Sequence, residues 1–266
     1  MQGHITDEEL ITIYLFCVAF QEKQKLKSMH TYIHQHWLSY FPNLPAYQTF
    51  VNRLNRMADL FPVLVSQLLT DLGVEEGEQA WLLTDSMPII TCSHKRKAKV
   101  ALAIVNKGFC ATKNLHYFGV KLHLLAQSRK NRLPLPEYVG ITAASVHDLT
   151  ALRPVLDCLT NRTIIADKAY SDQELHEKLL SFQACELITP VKNIKGMLAV
   201  TKQFEQAFND LFSSAVSRIR QPVESFFNWL QEKTAIQIAS KVRSTAGLIV
   251  HVFGKIAAAL CIWMNF

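Results

Sequence analysis

Two short stretches decide how this chain is to be read: AWLLTD at 80–85 and RTIIAD at 162–167. Each is an apolar run of strand length ending on an aspartate. A carboxylate at the end of a buried strand is costly unless it is paired or meets a cation. In open α/β sheets the strand ends are also where ligands bind. If the two strands are neighbours, Asp85 and Asp167 face each other. Two adjacent carboxylates then invite a divalent cation that takes oxygen ligands. For either aspartate alone a turn or a helix cap is explanation enough. Their matched placement singles out the pair.

Outward from these runs the pattern is mixed. HYFGVKLHLLA at 116–126 and EYVGIT at 137–142 read as further strands, rich in β-branched and aromatic residues. HDLTALRPVLDCL at 147–159 reads as a helix capped near Asp148. SDQELHEKLLSF at 171–182 reads as an amphipathic helix begun by Ser171. CELITP at 185–190 is a last strand, and the chain is helical from about Thr201 onward. The order is three strands, helix, strand, helix, strand, helix. It predicts an α/β fold, a mixed sheet flanked by helices.

The chain before the first strand reads as helical. Thr6 and Glu9 have capping-box spacing ahead of an apolar run at 10–16. Further helices fit Leu26 to Tyr40 and, after PNLP at 42–45, Tyr47 to Leu69. Arg53 and Arg56 in TFVNRLNRM at 49–57 suit a DNA-contacting helix, but the acidity of this segment favours an ordinary surface helix. DLGVEEGEQ at 71–79 reads as a linker. The expected division is therefore a small all-helical domain at 1–78 and an α/β domain with C-terminal helices at 79–266.

Composition bounds the function. The chain has 266 residues, 49% hydrophobic and 19% charged, with few Gly and Pro, which excludes a disordered or collagen-like chain. Its six cysteines include no CxxC pair, so neither a disulfide scaffold nor a structural zinc site is expected. The polar, acidic start MQGHITDEEL is not a secretory signal, and a cytoplasmic location is the default. The apolar stretch at 246–264 is long enough to span a membrane. Lys255 near its centre would cost roughly 2.5–3.5 kcal/mol there, so a buried core helix is expected.

The formal net charge of +6 is unevenly spread. Residues 1–85 hold five Lys/Arg against ten Asp/Glu, whereas residues 86–136 hold ten basic residues and no acid. Such asymmetry suggests a polyanion partner, nucleic acid first among them. Within the basic stretch, HKRKAK at 94–99 offers Lys95, Arg96, Lys97 and Lys99 as backbone contacts. Lys121 and His123, alternating with Val120 and Leu122, share one face of a strand. Lys121 suits a phosphate nearby, and His123 suits a partly buried sheet edge equally well.

A metal centre for phosphate chemistry draws on more than two acids. Glu224 in SRIRQPVESFFNWLQEK at 217–233 is the third candidate, on a helix with Pro222 near its first turn. Phe226, Phe227 and Leu230 would pack that helix on the sheet. Arg220, one helical turn earlier, is placed to orient Glu224 or to clamp a phosphate.

Four blocks, DSMPI around Asp85, HYFGVKLHLL at 116–125, IIADKAYSD at 164–172 and RQPVESFFNWL at 220–230, resemble the ordered motifs of DDE insertion-sequence transposases. The resemblance covers most of residues 79–240. It implies an RNase H-like catalytic fold with Asp85, Asp167 and Glu224 as the catalytic, metal-binding triad. It implies two Mg²⁺ ions about 3.5–4 Å apart, with Mn²⁺ as a substitute. It also implies DNA partners, the transposon ends and the target, and a homodimer or higher oligomer at synapsis. The family's last block reads Tyr-x2-Arg-x3-Glu-x6-Lys. Arg220 and Glu224 match it, whereas Ser217 stands at the Tyr position and Gln231 at the Lys position, with Lys233 two residues later. Arg218, Arg220 and Lys233 are the basic residues expected to meet DNA around this block. The alternatives are an RNase H-like nuclease without strand transfer and a catalytically decayed DNA-binding protein.

Overall fold

The computed structural model describes residues 5–73, 81–93, 95, 99–110, 114–191 and 199–264, without the side chains of 199–207. The expected linker at 71–79 lies mostly outside these residues, as do Arg96 and Lys97. The chain separates into two compact units that do not follow chain order. One contains Met1–Gly73, Pro88–Val120 and Trp229–Phe266; the other contains Val74–Met87 and Lys121–Asn228.

The N-terminal region is helical: α1 (Asp7–Ala19), α2 (Leu26–His36), α3 (Tyr47–Arg56) and α4 (Leu60–Leu72). The capping box at Thr6 forms in both directions, with Glu9 N–H donating to the Thr6 hydroxyl and Thr6 N–H to the Glu9 carboxylate. The single helix expected over 47–69 is two helices, broken at Met57–Asp59. The buried residues Phe50 and Leu54 lie on one segment, and Phe61, Val65 and Leu68 on the next.

The same unit holds α8 (Thr245–Trp263), which packs on α1, α3 and α4. It is apolar on every side, and Leu248, Val250, Val252 and the run Phe253–Leu260 are buried. By length and composition α8 is apolar enough to cross a membrane; in the structure it is the core of this unit. Tyr14 of α1 packs edge-on against Phe61 with ring centroids 5.5 Å apart and donates to the Val250 carbonyl at 3.2 Å. Tyr14 also lies over Gly254, where a Cβ would come within 2.6 Å of the ring.

Six strands form one sheet: β1 (Leu82–Ser93), β2 (Asn106–Cys110), β3 (Leu115–Gln127), β4 (Leu135–Ala143), β5 (Thr163–Ile165) and β6 (Glu186–Ile188). Their order is β2-β3-β1-β5-β6, with β4 also paired to β3. β1, β5 and β6 run parallel, and β2 is antiparallel to β3. Between and after the strands lie α5 (Asp148–Leu156), a 3-10 turn at Lys168–Tyr170, α6 (Gln173–Gln183) and α7 (Ala199–Thr234). The core of the second unit gathers Leu82, Leu125 and Ile164 from the sheet with Leu149, Leu152, Leu156, Leu175 and Leu179 from α5 and α6. A mixed sheet flanked by helices, after a helical N-terminal region, is what the sequence led us to expect.

The structure departs from expectation elsewhere too. β1 extends to Ser93, so Asp85 lies within the strand and not at its end. Alternating burial of Met87, Ile89 and Thr91 carries the strand on past the aspartate. β2 was not foreseen, because NKGFC is short and polar. α6 is capped by Asp172, which accepts from Leu175 N–H, and not by Ser171. α7 begins at Ala199, so Pro222 is in its interior and leaves one turn of the helical hydrogen-bond ladder without a donor.

Candidate active site

The site is built within the sheet unit. β1 and β5 pair in parallel register, Leu82 opposite Ile164 and Leu83 opposite Ile165. Asp85 lies two residues beyond the last paired residue of β1 and Asp167 two beyond that of β5, and Asp167 is close enough to act on the Asp85 carboxyl electrostatically. Asp167 stands just past β5 in extended backbone, where it caps the following 3-10 turn through Lys168 N–H. The strands that carry the two aspartates are neighbours, as the sequence-based pairing required.

Glu224 reaches this place through Arg220. Val223, Phe226, Phe227 and Leu230 bury one face of α7, leaving Glu224 half-exposed on another. Arg220, four residues earlier, donates through Nη2 to Glu224 Oε1 at 2.8 Å and through Nη1 to Asp85 Oδ2. Burial alone would work against the guanidinium's charge. Asp85, Asp167 and Glu224 outweigh it and raise its pKa. Asp85 and Glu224 thus share one cation supplied by the chain itself, with the Asp167 charge nearby.

Burial pushes the Asp85 carboxyl up to about 6, and Asp167 adds to the rise; Arg220 and the Ser86 N–H, donating to Oδ1 at 2.8 Å, pull against it. A fourth acid, which sequence reasoning took only for a helix cap, lies next to this pair. Asp148, the first residue of α5, accepts from Ser86 Oγ at 3.0 Å and from Lys121 Nζ at 2.9 Å. Lys121 also donates to the Val146 carbonyl at 2.9 Å. His123 lies on the same face of β3, 4.0 Å from Asp148 and hydrogen-bonded to Thr142 at 2.7 Å. It is buried, and burial lowers its pKa to about 4, so the ring is neutral near pH 7. The available signal was Lys121 and His123 together on one strand face, which calls for an acid opposite.

The other basic candidates fall in different places. Arg218, like Arg56, Lys95 and Lys99, is exposed. Arg53 is ion-paired with Asp7 and donates to the Ile5 carbonyl at 2.8 Å. Lys233 is half-buried, and its carbonyl accepts from Gln24 at 2.8 Å. Gln231, where the resembled block has Lys, accepts from Gln237 N–H at 2.8 Å and fastens the turn after α7. His147 is the N-cap of α5, as expected for a helix start.

The acids suit a hard divalent cation in chemistry, since all would offer carboxylate oxygens. Among the described residues, however, no group of three His, Cys, Asp or Glu side chains is drawn close enough to hold one. Between Asp85 and Glu224 stands the Arg220 guanidinium.

No curated protein and no solved structure matches the chain at a significant level. The transposase DDE domain does match, over residues 77–261, and within that span fall β1 with Asp85, the turn with Asp167 and α7 with Glu224. The match covers well over half of the sequence, and the sheet with its flanking helices is consistent with the RNase H-like architecture of that domain. The chain belongs to the transposase DDE-domain family.

Proposed function

We propose that this protein is a DNA transposase that cuts strands at transposon ends and joins the freed 3′-OH to target DNA. Family membership makes it a phosphoryl-transfer enzyme of the DDE class. Asp85, Asp167 and Glu224 are its catalytic acids and the residues that would hold Mg²⁺, or Mn²⁺ in its place. Once bound, the metal supplies Lewis-acid activation of the attacking oxygen and stabilisation of the leaving one. The observation that supports the reading is the parallel pairing of β1 with β5, the strand that leads into Asp167, together with the Arg220 contacts that join Asp85 to Glu224.

The reaction balances as two displacements at phosphorus. A water oxygen forms a bond to phosphorus while the bond to the 3′ oxygen of the transposon end breaks, leaving a 3′-OH and a 5′-phosphate. That 3′ oxygen then bonds to a target phosphorus as the target's own P–O3′ bond breaks. No protein nucleophile enters either step. The chain's part is to position groups: Ser86 N–H fixes one oxygen of Asp85, and the Asp148–Lys121–Ser86 contacts tie β1, β3 and α5 together beneath it. Arg220 is placed to meet a phosphate with its planar fork. Exposed Arg56, Lys95, Lys99 and Arg218, together with Arg96 and Lys97, are proposed to follow the DNA backbone. Pairing two ends calls for at least a dimer.

Asp85→Asn tests the reading. It should abolish cleavage of a transposon-end duplex while leaving duplex binding in place. Full cleavage by this variant would remove the acids from the reaction. A second reading, a decayed copy that binds DNA without cutting, draws support from Gln231. Its side chain holds a backbone turn where relatives of this motif carry a Lys. Strand transfer by the purified protein with a pre-cut end excludes that reading, and it also excludes a nuclease that only hydrolyses.

A further inference from the structure

The acids that would hold a metal are already occupied. Arg220 bridges Asp85 Oδ2 and Glu224 Oε1, and the other Asp85 oxygen accepts from Ser86 N–H at 2.8 Å. The Arg220 and Asp85 side chains are 13% and 22% exposed, so solvent screens that ion pair little, whereas the Glu224 side of the bridge is open to water. A divalent cation placed between Asp85 and Glu224 would meet the guanidinium at contact distance. Two like charges so close in a poorly solvated site repel strongly. Metal and guanidinium are therefore alternatives for the same carboxylate oxygens.

Arg220 also has a second anion to which it is suited. Its donors form the fork that binds a phosphate diester through two parallel hydrogen bonds. A phosphate arriving at the site offers the guanidinium new acceptors at the moment the carboxylates lose it.

We propose that Arg220 is a tethered counter-cation that keeps divalent metal off Asp85 and Glu224 until a DNA phosphate draws it away. Metal and DNA then bind with positive coupling, and by linkage each raises affinity for the other by the same factor. The centre loads metal only where substrate is present. This inference rests on the metal-centre reading of the triad, and the experiment below separates the two.

The test is Mn²⁺ binding to the full chain, followed by the electron paramagnetic resonance signal of free Mn²⁺. It is run with and without a short duplex, whose own Mn²⁺ uptake is subtracted. For the wild type, adding duplex should tighten Mn²⁺ binding by about tenfold. Arg220→Gln should bind Mn²⁺ about tenfold more tightly than wild type without duplex, because the competing charge is gone, and duplex should add no further gain. Arg220→Lys keeps the charge and should stay weak in the absence of duplex. Circular dichroism checks that each variant is folded. The wild-type comparison with and without duplex tests the coupling even if a substitution unfolds the chain. Equal Mn²⁺ affinity with and without duplex, or an Arg220→Gln variant that binds no more tightly than wild type, overturns the proposal. Asp85→Asn locates the fault. If it weakens Mn²⁺ binding while Arg220→Gln matches wild type, the metal centre stands and the competition falls. If it leaves binding unchanged, the metal centre falls as well.

Discussion

Lys255 in the helical unit and Arg220 in the sheet unit are both cations held out of solvent, and each unit meets its charge differently. Lys255 is 2% exposed on α8 and donates to the Ala235 carbonyl at 3.2 Å, and no carboxylate pairs with it among the described residues. Burial lowers its pKa to about 7. One turn away His251, half-buried and held to about pKa 3, bonds the Ile236 carbonyl at 2.8 Å. Both side chains fasten the turn after α7 to α8, so in this unit buried charge serves the backbone. In the sheet unit the charged groups answer one another: Arg220 with Asp85 and Glu224, Lys121 with Asp148. A fold needing only stability would not gather so many acids at one point. The arrangement suits a site that must receive further charge.

The largest expected effect is on that site. Asp85→Asn or Glu224→Gln should each lower cleavage on the order of 10³-fold or more, the loss of several kcal/mol of transition-state stabilisation, measured on a labelled end duplex. Equal losses from Lys255→Met would erase the distinction between the units. Next comes the Lys121–Asp148 pair, whose side chains are 17% and 20% exposed. Asp148→Asn leaves Lys121 poorly matched and should cost about 3 kcal/mol in urea unfolding. Adding Lys121→Met should cost less than the two single changes summed.

Lys255→Met should act in the opposite direction, stabilising the protein by about 2 kcal/mol at pH 7, since the buried charge it removes meets only a carbonyl and no carboxylate. The pH dependence has a definite sign. Lys255 has a folded pKa near 7 against an ordinary 10.5, so the unfolded chain binds more protons between them and stability rises over that range. His251, lowered from 6.5 to about 3, gives stability that is complete above 6.5 and lost as pH falls toward 3. Unfolding measured from pH 7 to 10 should rise for the wild type, with that rise reduced in Lys255→Met. The smallest effect belongs to the Lys178–Asp157 pair, with side chains 55% and 53% exposed. Lys178→Ala should change stability by less than about 1 kcal/mol, within reach of a thermal melt.

The sheet was more legible from sequence than the contacts between helices, for a physical reason. Ile164 and Ile165 of parallel β5 and Leu82, Leu83 and Thr84 of β1 are buried in succession, so these runs announce themselves, and so do the acids that end them in the sequence. β2 escaped because a short polar edge strand has no such run. The length of β1 escaped because the apolar run AWLLTD was taken to end on Asp85, while Met87 and Ile89 beyond it alternate inward. Asp148 was visible as a residue but not as a hub. Its partners Ser86 and Lys121 lie 62 and 27 positions away in the chain, and no local pattern encodes such contacts. The partners of α8 were illegible for the same reason. An all-round apolar helix declares that it is buried without declaring where.

That last pairing matters while the chain is being made. The helices α1, α3 and α4 leave the ribosome early, but the helix that covers their apolar faces starts at Thr245. At 5–20 residues per second, synthesis between Leu72 and Thr245 takes roughly 10–35 s. During that interval Leu10, Ile13, Phe61 and Val65 lack their final cover and are open to wrong partners. A nonsense or frameshift change anywhere ahead of Thr245 would make the interval permanent. It would therefore remove the first-made part of the protein as surely as the last, and no soluble N-terminal fragment should accumulate from an interrupted copy of the reading frame.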